Sequence, residues 1–100
     1  HGVLIDALGG FTAAYLQTNA QQWNAAQIEL LTILKQRRQP AVIVVEETGW
    51  GVVPPTAIGG LFRDRQGELA QRLARPANRS WLVVQGRALD LHALGQTIPL

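Results

Sequence analysis

Short apolar runs along the chain predict three β-strands. Residues 3–5, 41–45 and 81–84 are continuously apolar and lack the polar alternation of a half-exposed strand. Such runs are typical of parallel strands, because helices cover both faces of a parallel sheet. Residues 41–45 are the clearest case, since a proline precedes them and two acidic residues follow them.

Between the strands, apolar residues recur at helical spacing and predict two long helices. The first covers residues 21–38 after an N-cap at Asn19, and the second runs from residue 56 to about residue 74. The first helix is expected to carry Gln27 on its polar face. The apolar positions that set the spacing are Trp23, Ala26, Ile28, Leu30, Leu31 and Leu34 in the first helix, and Ile58, Leu61, Phe62, Leu69 and Leu73 in the second.

The remaining segments are shorter. Gly9-Gly10 are expected to break the chain after the first strand, with a helical turn at residues 11–16, and residues 88–94 fit a short strand or a turn. The order strand, helix, strand, helix, strand predicts an α/β fold with a mostly parallel sheet and right-handed crossovers. Three strands leave exposed edges, so we expect further chain or partner subunits to complete the sheet.

Composition narrows the possible classes of protein. The chain has no cysteine, which excludes disulfides, thiolate metal sites and cysteine nucleophiles and fits a cytoplasmic protein. It has no methionine, so we expect it to be part of a longer or processed chain. No apolar run approaches the roughly 18 residues that span a bilayer, so no membrane span is predicted.

The net charge is +2, and six of the nine basic residues lie between Arg63 and Arg87. This basic segment fits either a solvated helix face or a surface that meets phosphates. Aromatic residues do not alternate with the arginines as they do on a base-stacking platform, so a nucleic-acid partner is not expected.

Acidic side chains follow two of the predicted strands. Asp6 ends the first strand, and Glu46 and Glu47 end the second. Ligands of parallel sheets bind beyond the carboxyl ends of the strands, where an acid such as Asp6 holds Mg²⁺ through water. Alternatively, Asp6 caps the following turn and the two glutamates are solvated.

The loop after the second strand is the least ordinary segment. Gly49 and Gly51 flank Trp50, and glycines at such positions permit unusual backbone angles or a close approach by a ligand. Trp50 fits a stacking platform for a flat ring, although packing in the core is the commoner use of tryptophan. Arg63, on the next helix, suits a phosphate or carboxylate, or a pair with a neighbour such as Asp64.

Known catalytic sets are not recognisable in the sequence. There is no phosphate-binding loop of the form Gly-x-x-x-x-Gly-Lys-[Ser/Thr], and Lys35 is the single lysine. The two histidines, His1 and His92, lack metal-ligand spacing, and no serine or threonine stands in a triad-like setting.

Two motifs together resemble one enzyme family. Glu-Thr-Gly-Trp-Gly-Val-Val-Pro at residues 47–54 and Phe-Arg-Asp-Arg-Gln-Gly at residues 62–67 are similar to the loop and helix of the adenosylcobinamide kinase / adenosylcobinamide-phosphate guanylyltransferase family, of CobU/CobP type. The strands at residues 3–6 and 81–84 also fit that family, and the order and gaps agree along nearly the whole chain. Residues 88–95 look like cyanobacterial members in particular.

The resemblance implies a P-loop, RecA-like three-layer α/β fold, of which residues 1–100 are the C-terminal part of a single nucleotide-handling domain without the P-loop strand. The family assembles as a homotrimer, phosphorylates adenosylcobinamide with GTP or ATP and Mg²⁺, and transfers GMP from GTP to form adenosylcobinamide-GDP. The positions that it implies for nucleotide or Mg²⁺ binding are Asp6, Glu47, Gly49, Gly51, Arg63 and Asp64.

Several departures from the family pattern limit what the resemblance implies. The P-loop and the guanylylated histidine lie upstream of the first strand, so we expect no catalytic residue in this chain and no activity from it alone. Glu46 replaces asparagine, Glu68 reverses the charge of an arginine, and Ala70 replaces asparagine. Two alternatives remain open, namely a non-catalytic assembly module and a half-domain of another P-loop ATPase.

Overall fold

A computed structural model describes residues 1–99. In chain order the elements are β1 (Val3–Asp6), α1 (Gly9–Ala14), α2 (Ala20–Gln36), β2 (Ala41–Val44), α3 (Ala57–Ala74), β3 (Trp81–Val84), β4 (Arg87–Asp90) and α4 (Leu91–Leu94). The α/β class is confirmed, and the predicted strands and long helices lie within two residues of these bounds. No helix within residues 1–99 is both long and apolar enough to cross a membrane.

The first two strands form a parallel pair. β1 and β2 run side by side in register, with Asp6 opposite Val44. Their carboxyl ends therefore lie at the same edge, as the strand order predicts. This edge leads directly into α1 on one side and into the loop before α3 on the other.

The prediction that residues 81–84 join the same parallel sheet is wrong for this structure. β3 pairs with β4 in a separate antiparallel hairpin. Gln85 and Gly86 form its two-residue turn, with φ angles of 50° and 71°. Left-handed angles at both turn residues match the twist of a tight hairpin, so the local turn decides the partner of β3.

Helix α1 begins where the sequence predicted a break. Gly9 and Gly10 are its first two residues. The backbone N–H of Gly9 donates to Glu46 Oε1 at 2.9 Å, and Leu8, just before the helix, is fully buried. Tertiary contacts thus override the weak helix propensity of the two glycines.

The core lies between the helices and one face of the parallel pair. Leu8, Trp23, Leu69 and Leu73 form its buried centre. Partly buried side chains pack around them, namely Phe11, Tyr15, Leu30, Leu31, Leu34 and Ile43. The ring centroids of Phe11 and Tyr15 are 5.0 Å apart, a distance typical of favourable tilted aromatic pairs.

Several side chains at the edge of the core are buried or exposed contrary to the prediction from helical periodicity. Gln27, predicted on the polar face of α2, is fully buried, whereas Ile28 and Ile58 are each 49% exposed. Arg65 is 7% exposed, so the basic segment is not one solvated face. Thr12 and Gln66 are also buried, and their hydrogen-bond partners lie on other elements.

Asn19 is the N-cap of α2, as predicted. Its Oδ1 accepts from the backbone N–H of Gln22 at 2.8 Å, and its own N–H donates to Gln22 Oε1 at 3.0 Å. This reciprocal capping box satisfies backbone donors that the first turn of a helix leaves free.

Candidate functional site

A cleft of about 480 Å³ separates the loop after β2 from the exposed face of α3. Its residues come from two segments only, so two walls that are far apart in sequence form it. The lining residues are Glu47, Thr48 and Gly49 from the loop, and Arg63, Asp64, Gly67, Glu68 and Gln71 from α3.

Two hydrogen bonds shape the loop wall of this cleft. The N–H of Gly49 donates to Glu47 Oε1 at 2.7 Å, which curls the loop back on itself. The carbonyl of Gly49 accepts from Arg63 Nη2 at 2.9 Å, across the cleft. A Cβ added at Gly49 would lie 2.9 Å from Glu47 Oε1, so glycine permits this close approach. Arg63 therefore ties the loop to α3.

The cleft carries more acidic than basic groups. Glu47, Asp64 and Glu68 contribute three carboxylates, and Arg63 contributes one guanidinium. Glu68 Oε1 accepts from the buried Gln27 Nε2 at 2.6 Å, which fixes that carboxylate at the rim. Ionised carboxylates only accept hydrogen bonds, so the cleft suits ligand groups that donate them, with Arg63 as its contact for an anion.

Four of the six predicted site residues meet in this cleft, namely Glu47, Gly49, Arg63 and Asp64. The loop and the helix were predicted from separate motifs, and the fold places both motifs against one cavity. Asp6 and Gly51 do not line it. Asp6 lies at the end of β1, opposite Val44, and is exposed.

The three acidic residues that follow the strands have different surroundings. Glu47 lines the cleft, whereas the carboxylate of Glu46 accepts hydrogen bonds from Gly9 on α1 and Gln66 on α3. Asp6 shares their sheet edge but lies outside the cleft. Strand order brings these residues to one edge, and of the three Glu47 lines the cleft.

The core position considered for Trp50 is wrong. Its side chain is 73% exposed, and Val52 and Val53 beside it are 93% and 76% exposed. The loop therefore presents an apolar tip next to the polar cleft. A stacking role for Trp50 stays compatible with this exposure.

Within residues 1–99, no group of three or more His, Cys, Asp or Glu side chains is placed to hold a metal ion. A second cleft lies between the end of α3 and the C-terminal tail and is lined in part by Arg75, Ser80 and His92. None of the predicted site residues lines this second cleft.

Some cleft residues were not predicted as site residues. Arg63, Gly67 and Gln71 follow one another at intervals of four residues along α3, and Asp64 and Glu68 form a parallel row. Side chains four apart share a face of a helix. That periodicity, applied to polar rather than apolar positions, would have found Glu68 and Gln71.

Comparison with known proteins gives the family. The family model for cobinamide kinase / cobinamide phosphate guanyltransferase, CobU, matches residues 1–91 of the chain. The chain belongs to this family. The matched residues include both walls of the cleft and the strands β1 to β4.

Two curated CobU proteins are similar in sequence. The bifunctional adenosylcobalamin biosynthesis protein CobU of Salmonella typhimurium is 37% identical over 92 residues, covering 83% of this chain and 48% of the relative. The Escherichia coli protein of the same name is 37% identical over 70 residues, covering 70% of this chain and 39% of the relative. The chain thus spans about half the length of the CobU proteins that it matches, or less.

Proposed function

We propose that the chain is part of a bifunctional enzyme that phosphorylates adenosylcobinamide and transfers GMP from GTP to give adenosylcobinamide-GDP. The observation that carries this proposal is the meeting of Glu47, Gly49, Arg63 and Asp64 in one cleft, within a stretch that matches the CobU family. The loop and α3 then form one wall of the substrate site.

The chemistry of the cleft suits these ligands. Guanine presents N–H donors along one edge, and the amide side chains of a cobinamide also donate hydrogen bonds, so both match the acceptors Glu47 and Asp64. Arg63 supplies the guanidinium among the residues that line the cleft, and a guanidinium suits a phosphate. Trp50, at the exposed tip of the loop, offers a flat apolar surface for a ring.

The cofactors are part of the same proposal. GTP or ATP and Mg²⁺ serve the whole enzyme, and Asp6 contacts the ion through water. A single exposed carboxylate fits that role, because Mg²⁺ keeps several of its waters and needs few protein ligands. Gly51 belongs to the same loop and allows the nucleotide to approach. The assembly proposed is a cytoplasmic homotrimer.

The chain alone is proposed to be inactive. It contains no P-loop sequence and no histidine in the position of the family's nucleophile, so phosphate transfer requires groups from elsewhere in the enzyme. Incubation of the chain with GTP, Mg²⁺ and adenosylcobinamide is expected to yield no phosphorylated product. Turnover by this polypeptide alone would overturn the proposal.

A specific observation also favours a second candidate, a non-catalytic assembly module. Leu4, Val42 and Val44 lie on one face of the parallel pair and are 64%, 59% and 43% exposed. An uncovered apolar face of a parallel sheet ordinarily meets another layer. Light scattering tests this candidate, since an assembly module should form a stable oligomer and a monomeric chain would count against it.

A further inference from the structure

We infer that Glu46 is a positioning residue that sets the spacing between the two walls of the cleft. Neither the family motif, which has asparagine there, nor the strand pattern predicts this role. The hydrogen bonds are properties of the chain itself, whereas the use of the cleft rests on the function proposed above.

Glu46 connects three elements through one carboxylate oxygen. Its Oε1 accepts from the backbone N–H of Gly9 at 2.9 Å and from Gln66 Nε2 at 3.4 Å. Gln66 Oε1 in turn accepts from Thr12 Oγ1 at 2.7 Å. The end of β2, the start of α1 and the middle of α3 are therefore joined by a continuous chain of hydrogen bonds.

Breaking this chain of hydrogen bonds would cost free energy, because two of its side chains are buried. Thr12 is fully buried and Gln66 is 1% exposed, so neither side chain can replace a lost partner with bulk water. Bonds to an ionised acceptor are also stronger than bonds between neutral groups.

Gly9 fits this arrangement closely. A Cβ added at Gly9 would lie 2.5 Å from Glu46 Oε2, closer than real Cβ contacts, whereas a Cβ at the adjacent Gly10 would meet nothing within 4 Å. The clashing atom is the end of a flexible side chain. A methyl group at position 9 should therefore displace the carboxylate and leave the backbone in place.

The hydrogen bonds of Glu46 affect the cleft because Glu46 is adjacent in sequence to one of its walls. Glu47, the first residue of the loop wall, follows Glu46 directly, and Gln66 stands between Asp64 and Gly67 on the helical wall. Fixing Glu46 against Gln66 therefore fixes the start of one wall against the middle of the other. Arg63 and the Gly49 carbonyl make the second cross-link between the walls.

The test is amide hydrogen exchange of the chain and its variants, read at individual residues. Glu46→Ala should raise exchange of the Gly9 amide by roughly tenfold or more, because its acceptor is removed, and should also raise exchange of Gly49 in the loop wall. Glu46→Gln keeps a side-chain oxygen in place and should restore Gly9 protection to within about threefold of the parent. Amides of α2 should keep their rates.

A double-mutant cycle separates positioning from general stability. Gly9→Ala alone should mimic Glu46→Ala, and adding it to Glu46→Ala should change nothing further, because the carboxylate that it displaces is already gone. Gly10→Ala and Glu29→Ala are matched controls that leave exchange at Gly9 and Gly49 unchanged.

Two results would overturn the inference: unchanged exchange at Gly9 in Glu46→Ala, or an equal rise at every amide, α2 included. If Glu46→Ala raises exchange at Gly9 and Gly49 but GTP binding stays the same, the positioning role of Glu46 stands and the proposed use of the cleft is contradicted.

Discussion

Single polar side chains hold the cleft by reaching partners on other elements. Gln27 is fully buried on α2 and donates to Glu68 at the rim of the cleft. Among residues 1–99, Gln27 Oε1 finds no hydrogen-bond partner. The amide is thus half satisfied, and its one bond matters more than an ordinary surface contact.

Removal of the Glu68 carboxylate should therefore destabilise the chain. Glu68→Ala leaves both ends of the Gln27 amide without partners and should lower the free energy of unfolding by about 1–3 kcal/mol in urea titrations. Glu29→Ala, an exposed site on α2, should change it by less than about 0.5 kcal/mol. Equal urea midpoints of unfolding for the two variants would show that the Gln27–Glu68 hydrogen bond contributes nothing to stability.

For single residues, the sequence indicated some of the cleft residues but not which polar side chains are buried. The resemblance of the Gly-Trp-Gly loop and the Phe-Arg-Asp motif to one family pointed to Glu47, Gly49, Arg63 and Asp64, and these four residues line one cleft. The burial of Gln27 was not visible, since helical periodicity assigns a glutamine to the polar face unless its partner is known. The exposure of Trp50 likewise depends on what the rest of the fold leaves uncovered.

Between elements, a buried arginine attaches α3 to the end of α1. Arg65 donates from Nη1 to the carbonyl of Tyr15 at 2.8 Å and from Nη2 to the carbonyl of Thr18 at 3.0 Å. Its guanidinium also lies 5.5 Å from the ring centroid of Trp23. Carbonyls at the C-terminal end of a helix favour a cation, which offsets the burial of this charge.

Substitution of this arginine should loosen α1. Arg65→Met keeps much of the volume but leaves the two carbonyls without their donor, and should cost about 2–4 kcal/mol of unfolding free energy. Thermal unfolding measures the loss. Arg79→Met is the matched control, because the Arg79 side chain is 70% exposed and its contact with Asp90 spans 3.8 Å, so it should cost less than about 1 kcal/mol. Similar losses would contradict a special role for Arg65.

Replacing glycine by alanine should change the stability of the chain in opposite directions in the hairpin and in α3. Gly86 has φ 71°, so Gly86→Ala strains the turn and should destabilise the chain by about 1 kcal/mol. Gly60 lies inside α3 with open space at its Cβ position, so Gly60→Ala should stabilise by about 0.5–1 kcal/mol. Thermal unfolding of both variants checks the signs, and a stabilised Gly86→Ala would refute the turn geometry.

The sequence predicted the elements better than their pairing. The N-cap Asn19 is a local signal, and the start of α2 follows from it. The prediction that β3 joins the parallel sheet was wrong, because a buried-type apolar run does not say which strand lies beside it. The turn at Gln85 and Gly86 decided that pairing in favour of β4.

In the whole molecule, the parallel pair and the hairpin remain two separate small sheets. Helices cover one face of the parallel pair, and Leu4, Val42 and Val44 on the other face stay substantially exposed. The chain spans 48% of the length of the Salmonella typhimurium CobU protein. The cleft is already formed, because both of its walls lie within the described residues.

The role of the cleft is tested most directly by titrating the isotope-labelled chain with GTP and following its amide resonances. We expect weak binding that moves the resonances of Gly49, Arg63 and Gly67, because these residues line the proposed guanine-nucleotide wall. The same titration of Arg63→Ala should leave them in place. Movement centred instead on Arg75 and His92 in the second cleft, or no movement at millimolar GTP, would contradict the assignment of this site.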